Sequence, residues 1–153
     1  KLVWLDAHLD LKEKVDGHVS HDVVVRELLE SGFSEDEIFF LGTTRIDDDE
    51  EKFLENHEIN IFGPDELEEF KREFNSSEQP VYLSVDIDVL KEEEAPGTGY
   101  PDGNLGVEEV LDLIEKISPS HADLVEVAPP FDSDGITVKN SRKILDKLLD
   151  ESS

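Results

Sequence analysis

Residues 2–10 read LVWLDAHLD: four apolar residues, Leu2 to Leu5, then Asp6, His8 and Asp10 at alternate positions. A short run that is apolar at every position suits a strand buried on both faces of a parallel sheet. Alternate residues of an extended chain project to one side. An extended continuation therefore brings Asp6, His8 and Asp10 together where the strand ends. Crowded carboxylates without partners resist ionisation, and a bound cation removes that cost. The alternative at this point is a strand that runs into a polar loop, with its Asp and His solvated.

Short apolar runs recur at 38–41, 59–62, 81–85 and 124–127. Helical spacing fills the intervals. Residues 21–30 place Val24, Val25, Leu28 and Leu29 on one face, with Ser20 as a candidate N-cap and Gly32 as a stop. A shorter pattern covers 50–57. Residues 64–74 carry Leu67, Phe70 and Phe74 behind Pro64, which suits a first turn. Residues 107–117 repeat Val110, Leu111, Ile114 and Ile117, and residues 136–149 carry Val138, Ile144, Leu145, Leu148 and Leu149. Strands alternating with helices predict an α/β fold: three αβα layers around a mainly parallel sheet. Ligands of such sheets bind beyond the carboxyl ends of the strands, where Asp6 to Asp10 fall. The acidic runs 47–51 and 92–94 read as solvated loops or helix starts.

The stretch VYLSVDIDVL, residues 81–90, repeats the opening pattern: an apolar strand, then Asp86 and Asp88 on one side. Each Asp-x-Asp is a weak signal alone, and two at the ends of two parallel strands are a stronger one. Four Asp and one His, in a chain without Cys, suit a hard or borderline divalent ion such as Mn²⁺. A cluster of this size has room for two metals and an activated water. Downstream, Pro96, Gly97, Gly99, Pro101 and Gly103 make a loop with too many breakers for regular structure. It is either a plain connection or a site-lining loop whose glycines let backbones approach closely. In DLVEVAPPFD, Glu126 sits inside an apolar run, which is costly unless the carboxylate is paired. It is read either as a salt-bridged structural Glu or as the receiver of a cation, for which a planar guanidinium is the bidentate match.

The chain has 153 residues, enough for one domain with a core. Its 40 acidic against 14 basic residues give a net charge of −26, which speaks against nucleic acid and anionic membrane as partners. Three explanations compete for that charge: disorder, adaptation to high salt, and a field that attracts cations. The apolar periodicity opposes disorder, and a halophilic protein is the favoured reading. The lack of Cys excludes disulfides and thiolate metal sites. With no long apolar run and no signal-like segment, the chain reads as cytoplasmic. It contains no Met, so either its start was processed or it is a piece of a longer chain.

Taken together, DAHLD (6–10), SVDID (84–88), APGTGYP (95–101) and VEVAPPFDSDGIT (125–137) resemble, in order, the motifs of the ureohydrolase family of arginases, agmatinases and formiminoglutamases. The agmatinase-type members are the most similar. The resemblance implies a single arginase-fold domain over residues 1–153, corresponding to the C-terminal portion of the family's usual length. It implies two Mn²⁺ ions, with Asp6 and Asp86 bridging, His8 and Asp88 completing one set, and Asp10 binding the other ion. By the same resemblance His21, in SHDVVVREL, shuttles protons near the leaving group and Glu126 holds the guanidinium. Activated water would attack the guanidinium carbon and release urea, and the protein would assemble as a trimer or hexamer.

Three departures stand out. The family's first histidine ligand comes from a GGDHS-like motif that these residues do not contain. Lys91 and Glu92 stand where the family has Asp-Pro, and Gly103-Asn104 stands for its Gly-Gly. The loop LKEKVDGHVSH lacks the Asn pattern with which arginases read an amino acid, which favours agmatine or another cationic guanidino compound. His18, His57 and His121 match no family motif and read as surface residues. The competing readings are a non-catalytic metal-binding α/β remnant or subunit of the family and, more distantly, an aspartate-based phosphatase built on VDIDVL. The second leaves DAHLD unexplained.

Overall fold

Two parallel strands meet side by side at the centre of the sheet, and each leads to a carboxylate. They are β1, Leu2–Leu5, and β4, Tyr82–Asp86, paired Leu2 to Tyr82 through Leu5 to Val85. The computed structural model describes residues 1–76 and 79–151. Beside β1 lie β2, Ile38–Leu41, and β3, Asn60–Phe62; beside β4 lies β5, His121–Val125. All five strands are parallel, in the order β3-β2-β1-β4-β5.

The helices are α1, Val24–Glu30; α2, Asp48–Leu54; α3, Leu67–Glu73; α4, Val107–Ile117; and α5, Ile136–Glu151. Side-chain alternation along the strands assigns them to faces. Val3, Leu5, Leu41, Leu83 and Val85 point towards α3, α4 and α5 and share a core with Phe70, Val110, Leu113, Ile114, Ile144 and Leu148. Leu2, Trp4, Ile38, Phe40 and Ile61 point the other way, against Val25, Leu28 and Leu29 of α1 and Phe53 and Leu54 of α2. From β1 the chain first winds outwards through β2 and β3, then returns across the other face to β4 and β5. The β1/β4 junction is thus the topological switch point, where an α/β sheet leaves a crevice for ligand.

The expected three-layer αβα architecture is found, with four local differences. The last strand covers His121–Val125 instead of 124–127, because Glu126 has φ 61 and turns the chain out of extended geometry. Its first residues, His121 and Asp123, were not apolar enough to signal a strand, since β5 is an edge with one face open. Residues 21–23 and 64–66 are single 3₁₀ turns leading into α1 and α3. The acidic run 47–51 does start a helix, but Glu50 is buried at 3% exposure, not solvated. Its carboxylate accepts from the backbone N–H of Asp47 (3.0 Å) and of Leu11 (3.1 Å). His57 is likewise no free surface residue: it stacks on Phe53 at 3.8 Å and pairs with Glu35. Among the described residues no helix is long and apolar enough to cross a membrane.

Candidate metal centre

The two central strands end in the same local device. Beyond β1, the Asp6 carboxylate accepts the backbone N–H of His8 at 2.7 Å; at the end of β4, the Asp86 carboxylate accepts the backbone N–H of Asp88 at 2.8 Å. Each aspartate folds the next two residues around itself, as Asp side chains do in turns. The Ala7 N–H donates to Asp88 Oδ1 at 3.3 Å and ties the two ends together. Trp4 Nε1 donates to Asp6 Oδ2 at 3.0 Å, fixing the first carboxylate from behind.

Asp6, His8 and Asp88 therefore converge: one ligand atom from each lies within 4.8 Å of the other two. The His8 Nδ1 atom faces Asp88 Oδ2 at 2.9 Å and Asp6 Oδ1 at 3.4 Å. Asp6 and Asp88 are only 2% and 4% exposed. Asp10 and Asp86 line the same cavity beside this triad without joining its tight group. For Asp10 the simple alternation of an extended strand does not hold. The chain bends after Leu5, and Asp10 takes a left-handed φ of 53. Its carbonyl instead accepts from Val25 N at 3.1 Å and Arg26 N at 3.4 Å, at the start of α1.

Electrostatics here follow from burying like charges together. Burial, then Asp6, pushes the Asp10 carboxyl up to about 8. Asp86 is raised by burial and then by Asp6 and Asp88, and Asp6 is raised chiefly by burial. Hydrogen bonds to Asp6 and then Asp88 push the His8 imidazole up to about 11. Without a metal, retained protons and an imidazolium offset the clustered negative charge. Carboxylates with one imidazole form a hard-to-borderline donor set that suits a divalent cation taking the place of those protons.

The cavity around the cluster has a volume of about 450 Å³. His21 and Glu126 both line it, as do Lys12, Arg45 and Tyr100. His21 is exposed and stacks on Tyr100 with ring centroids 6.4 Å apart. Glu126 is exposed and forms no ion pair among the described residues, so it is not the buried, salt-bridged group that its apolar neighbours suggested. The strand has already ended there, and the left-handed turn carries the side chain clear of the core.

The breaker-rich loop is a lining loop, with its glycines used as expected at two positions. A Cβ on Gly103 would fall 2.1 Å from the Asp88 carbonyl oxygen, and one on Gly97 would fall 2.5 Å from Asp132 Cβ. Several cavity residues escaped the sequence reading. Trp4 and Ser84 sit two residues before Asp6 and Asp86 on the same side of their strands, a period-two signal that was available. Tyr100 had a positional clue in the loop itself. Nothing in an acidic run distinguishes Glu50 from its neighbours.

Residues 1–150 match the family model described as "Arginase family". Among curated relatives, the chain is 34% identical to an agmatinase of Bacillus anthracis over 157 aligned residues, covering 97% of this chain and 54% of the relative. It is 31% identical to an agmatinase of Bacillus subtilis, covering 97% and 53%. Among solved structures, proclavaminate amidino hydrolase from Streptomyces clavuligerus superposes with a TM-score of 0.84 at 30% identity, over 99% of this chain and 55% of that one. The chain thus spans about half the length of the curated relatives it matches.

Proposed function

Because this chain belongs to the arginase family, we propose that it acts as a manganese ureohydrolase of agmatinase type, hydrolysing a cationic guanidino compound to an amine and urea. The observation that supports this most directly is the convergence of Asp6, His8 and Asp88, within 4.8 Å of one another, at the switch point of the sheet. In this reading those three hold one Mn²⁺ tightly. Asp86, which stands beside the triad, would complete that set, and Asp10 would contribute with Asp6 and Asp86 to a second, weaker position. The bound ions supply Lewis acidity and a water poised for attack.

The chain's own groups then do the rest. The acidic cavity draws in a cation. Glu126, exposed on the cavity wall and without an ion pair among the described residues, receives the planar guanidinium through two hydrogen bonds. Water adds to the guanidinium carbon, the bond to the alkylamine nitrogen breaks, and His21 delivers the proton that this nitrogen takes as it leaves. The product is urea plus the amine. Residues 11–21, which border the cavity through Lys12 and His21, lack the arginase pattern for reading an amino acid, which supports agmatine or a similar compound. The remaining acidic surface we read as adaptation to high salt.

The test pairs metal content with urea release from agmatine. Asp86→Ala is expected to lose metal and all turnover. Glu126→Gln is expected to keep its metal while binding the guanidino compound more weakly. Equal metal loss in both would contradict the assigned roles. Tight Mn²⁺ binding by the unmodified chain with no urea formed would instead identify a metal-binding module without catalysis.

A further inference from the structure

The two nitrogens of His8 face different partners. Nδ1 points at the Asp6 and Asp88 carboxylates, at 3.4 Å and 2.9 Å, and Nε2 lies 3.2 Å from Asp102 Oδ2. Asp102 comes from a distant part of the chain and is held there from several directions. Its backbone N–H donates to the Tyr100 carbonyl at 2.8 Å, and its own carbonyl accepts from Thr44 Oγ1 at 2.8 Å. Arg45 Nη1 donates to the same carboxylate oxygen at 3.3 Å. The segment carrying Thr44 and Arg45 is itself fixed to the metal loop, since both backbone N–H groups donate to the Ala7 carbonyl, at 3.0 Å and 3.2 Å. Gly103, next to Asp102, lies so close to the Asp88 backbone that any side chain there would collide with it.

We infer that Asp102 is a positioning residue for the metal centre: by accepting the Nε2–H of His8, it holds the imidazole so that Nδ1 is the nitrogen presented to the cation. This rests on the metal-site reading above and adds a residue to it. A neutral imidazole carries one proton on either nitrogen, and only the unprotonated nitrogen can ligate. A carboxylate at Nε2 selects the tautomer with Nδ1 free, fixes the ring plane and raises its basicity. Arg45 helps to aim Asp102 through its bond to the same oxygen, leaving the second carboxylate oxygen for other contacts. Asp102 does not itself join the tight donor group.

The experiment is a Mn²⁺ titration of the purified chain by calorimetry, with Asp102→Ala, Asp102→Asn, His8→Ala and the His8→Ala/Asp102→Ala double variant. Asp102→Ala is expected to weaken the tight site by about 10- to 100-fold. Asp102→Asn keeps an oxygen acceptor and is expected to recover most of that loss. In the His8→Ala background, removing Asp102 is expected to change affinity by less than about 2-fold, because its effect travels through the ring. A spectroscopic readout accompanies the titration: with Co²⁺ as probe, the His8 Nε2–H resonance should be shifted and slow to exchange in the unmodified chain and in Asp102→Asn, and lost in Asp102→Ala. Equal losses in Asp102→Ala and Asp102→Asn would show a bare charge effect and overturn the inference. So would a full loss in the His8→Ala background. Failure of the unmodified chain to bind Mn²⁺ would overturn the metal-site reading itself, an outcome distinct from variants that fail while the unmodified chain binds.

Discussion

The two faces of the β4–β5 half of the sheet show what separates structure from site. One face presents Leu83, Val85, Ala122 and Leu124 to the core shared with α4 and α5 and is the dry one: Leu83 and Val85 are fully buried, Ala122 and Leu124 half-buried. The other presents Tyr82, Ser84, Asp86, His121, Asp123 and Val125, none of which joins either apolar core; Tyr82 and Val125 are 42% and 38% exposed, while Ser84 and Asp86 are buried along the polar row. The residues alternate along the same two strands, so backbone geometry is identical for both faces. Covering alone differs. Where helices seal the sheet, side chains are chosen for volume; where the sheet stays open, they are chosen for hydrogen bonds and charge. Tyr82 Oη and Ser84 Oγ both donate to the Asp123 carboxylate, at 2.5 Å and 2.7 Å, and prolong the polar row that ends in Asp86.

The largest effect is expected from breaking the dry face. On the same side of the sheet and in the same core, Phe70 is fully buried over β2 and β3 among Phe39, Phe62 and Phe74, and Phe70→Ala should cost about 3–5 kcal/mol, read as a lower urea midpoint at unchanged slope. A loss below about 1 kcal/mol would mean that this face is not the structural one.

A smaller effect is expected on the open face, through pH. Burial raises Asp10 from its ordinary 3.8 to about 8, and hydrogen bonds to Asp6 and Asp88 raise His8 from 6.5 to about 11. Both groups hold protons in the folded chain that the unfolded chain has released. The Asp10 contribution is complete below pH 3.8 and gone above about 8, and the His8 contribution fades from 6.5 up to about 11. In chelator, Tm should therefore fall between pH 6 and 9 by something on the order of 5 °C. Saturating Mn²⁺ should raise Tm most at the alkaline end, where fewer protons compete for the ligands. A metal-free Tm that climbs over this range would show that the cluster is not held together by protons.

The smallest effect should come from Tyr82→Phe, which removes one exposed hydrogen bond from the open face. A change within about 1 kcal/mol and unaltered Mn²⁺ affinity are expected. A loss comparable to Phe70→Ala would erase the distinction between the faces.

The same distinction explains how much of the molecule could be read from its sequence. Strands β1, β2 and β4 are apolar where helices cover them, and their runs were plain. The edge strand β5 was misplaced because His121 and Asp123 answer to the open face. In the site, Asp6, His8 and Asp88 came out of spacing alone, since each follows a legible strand. Asp10 was expected to converge by alternation, but a left-handed turn intervened. Glu50 and Asp102 could not be found this way. Their importance depends on contacts with Leu11 and His8, remote in sequence, and local pattern carries no trace of that.

The order of strands also has a consequence in time. β1 precedes β2 to β5 in sequence, yet among the described strands it lies at the centre of the sheet, between β2 and β4. Its pairing with β2 closes over α1, whereas its pairing with β4 must wait for every residue between Leu2 and Tyr82 to be in place. Non-local parallel pairing of this kind slows folding, because the entropy of closing the long loop is lost before the contacts reward it. Until β4 arrives, that side of β1 lacks the partner it has in the finished sheet. The Asp6 carboxylate follows directly at its tip, and charge at a strand edge is what discourages a neighbouring chain from docking there first. A carboxylate suited to hold a metal in the finished fold is thus also suited to protect the half-built one.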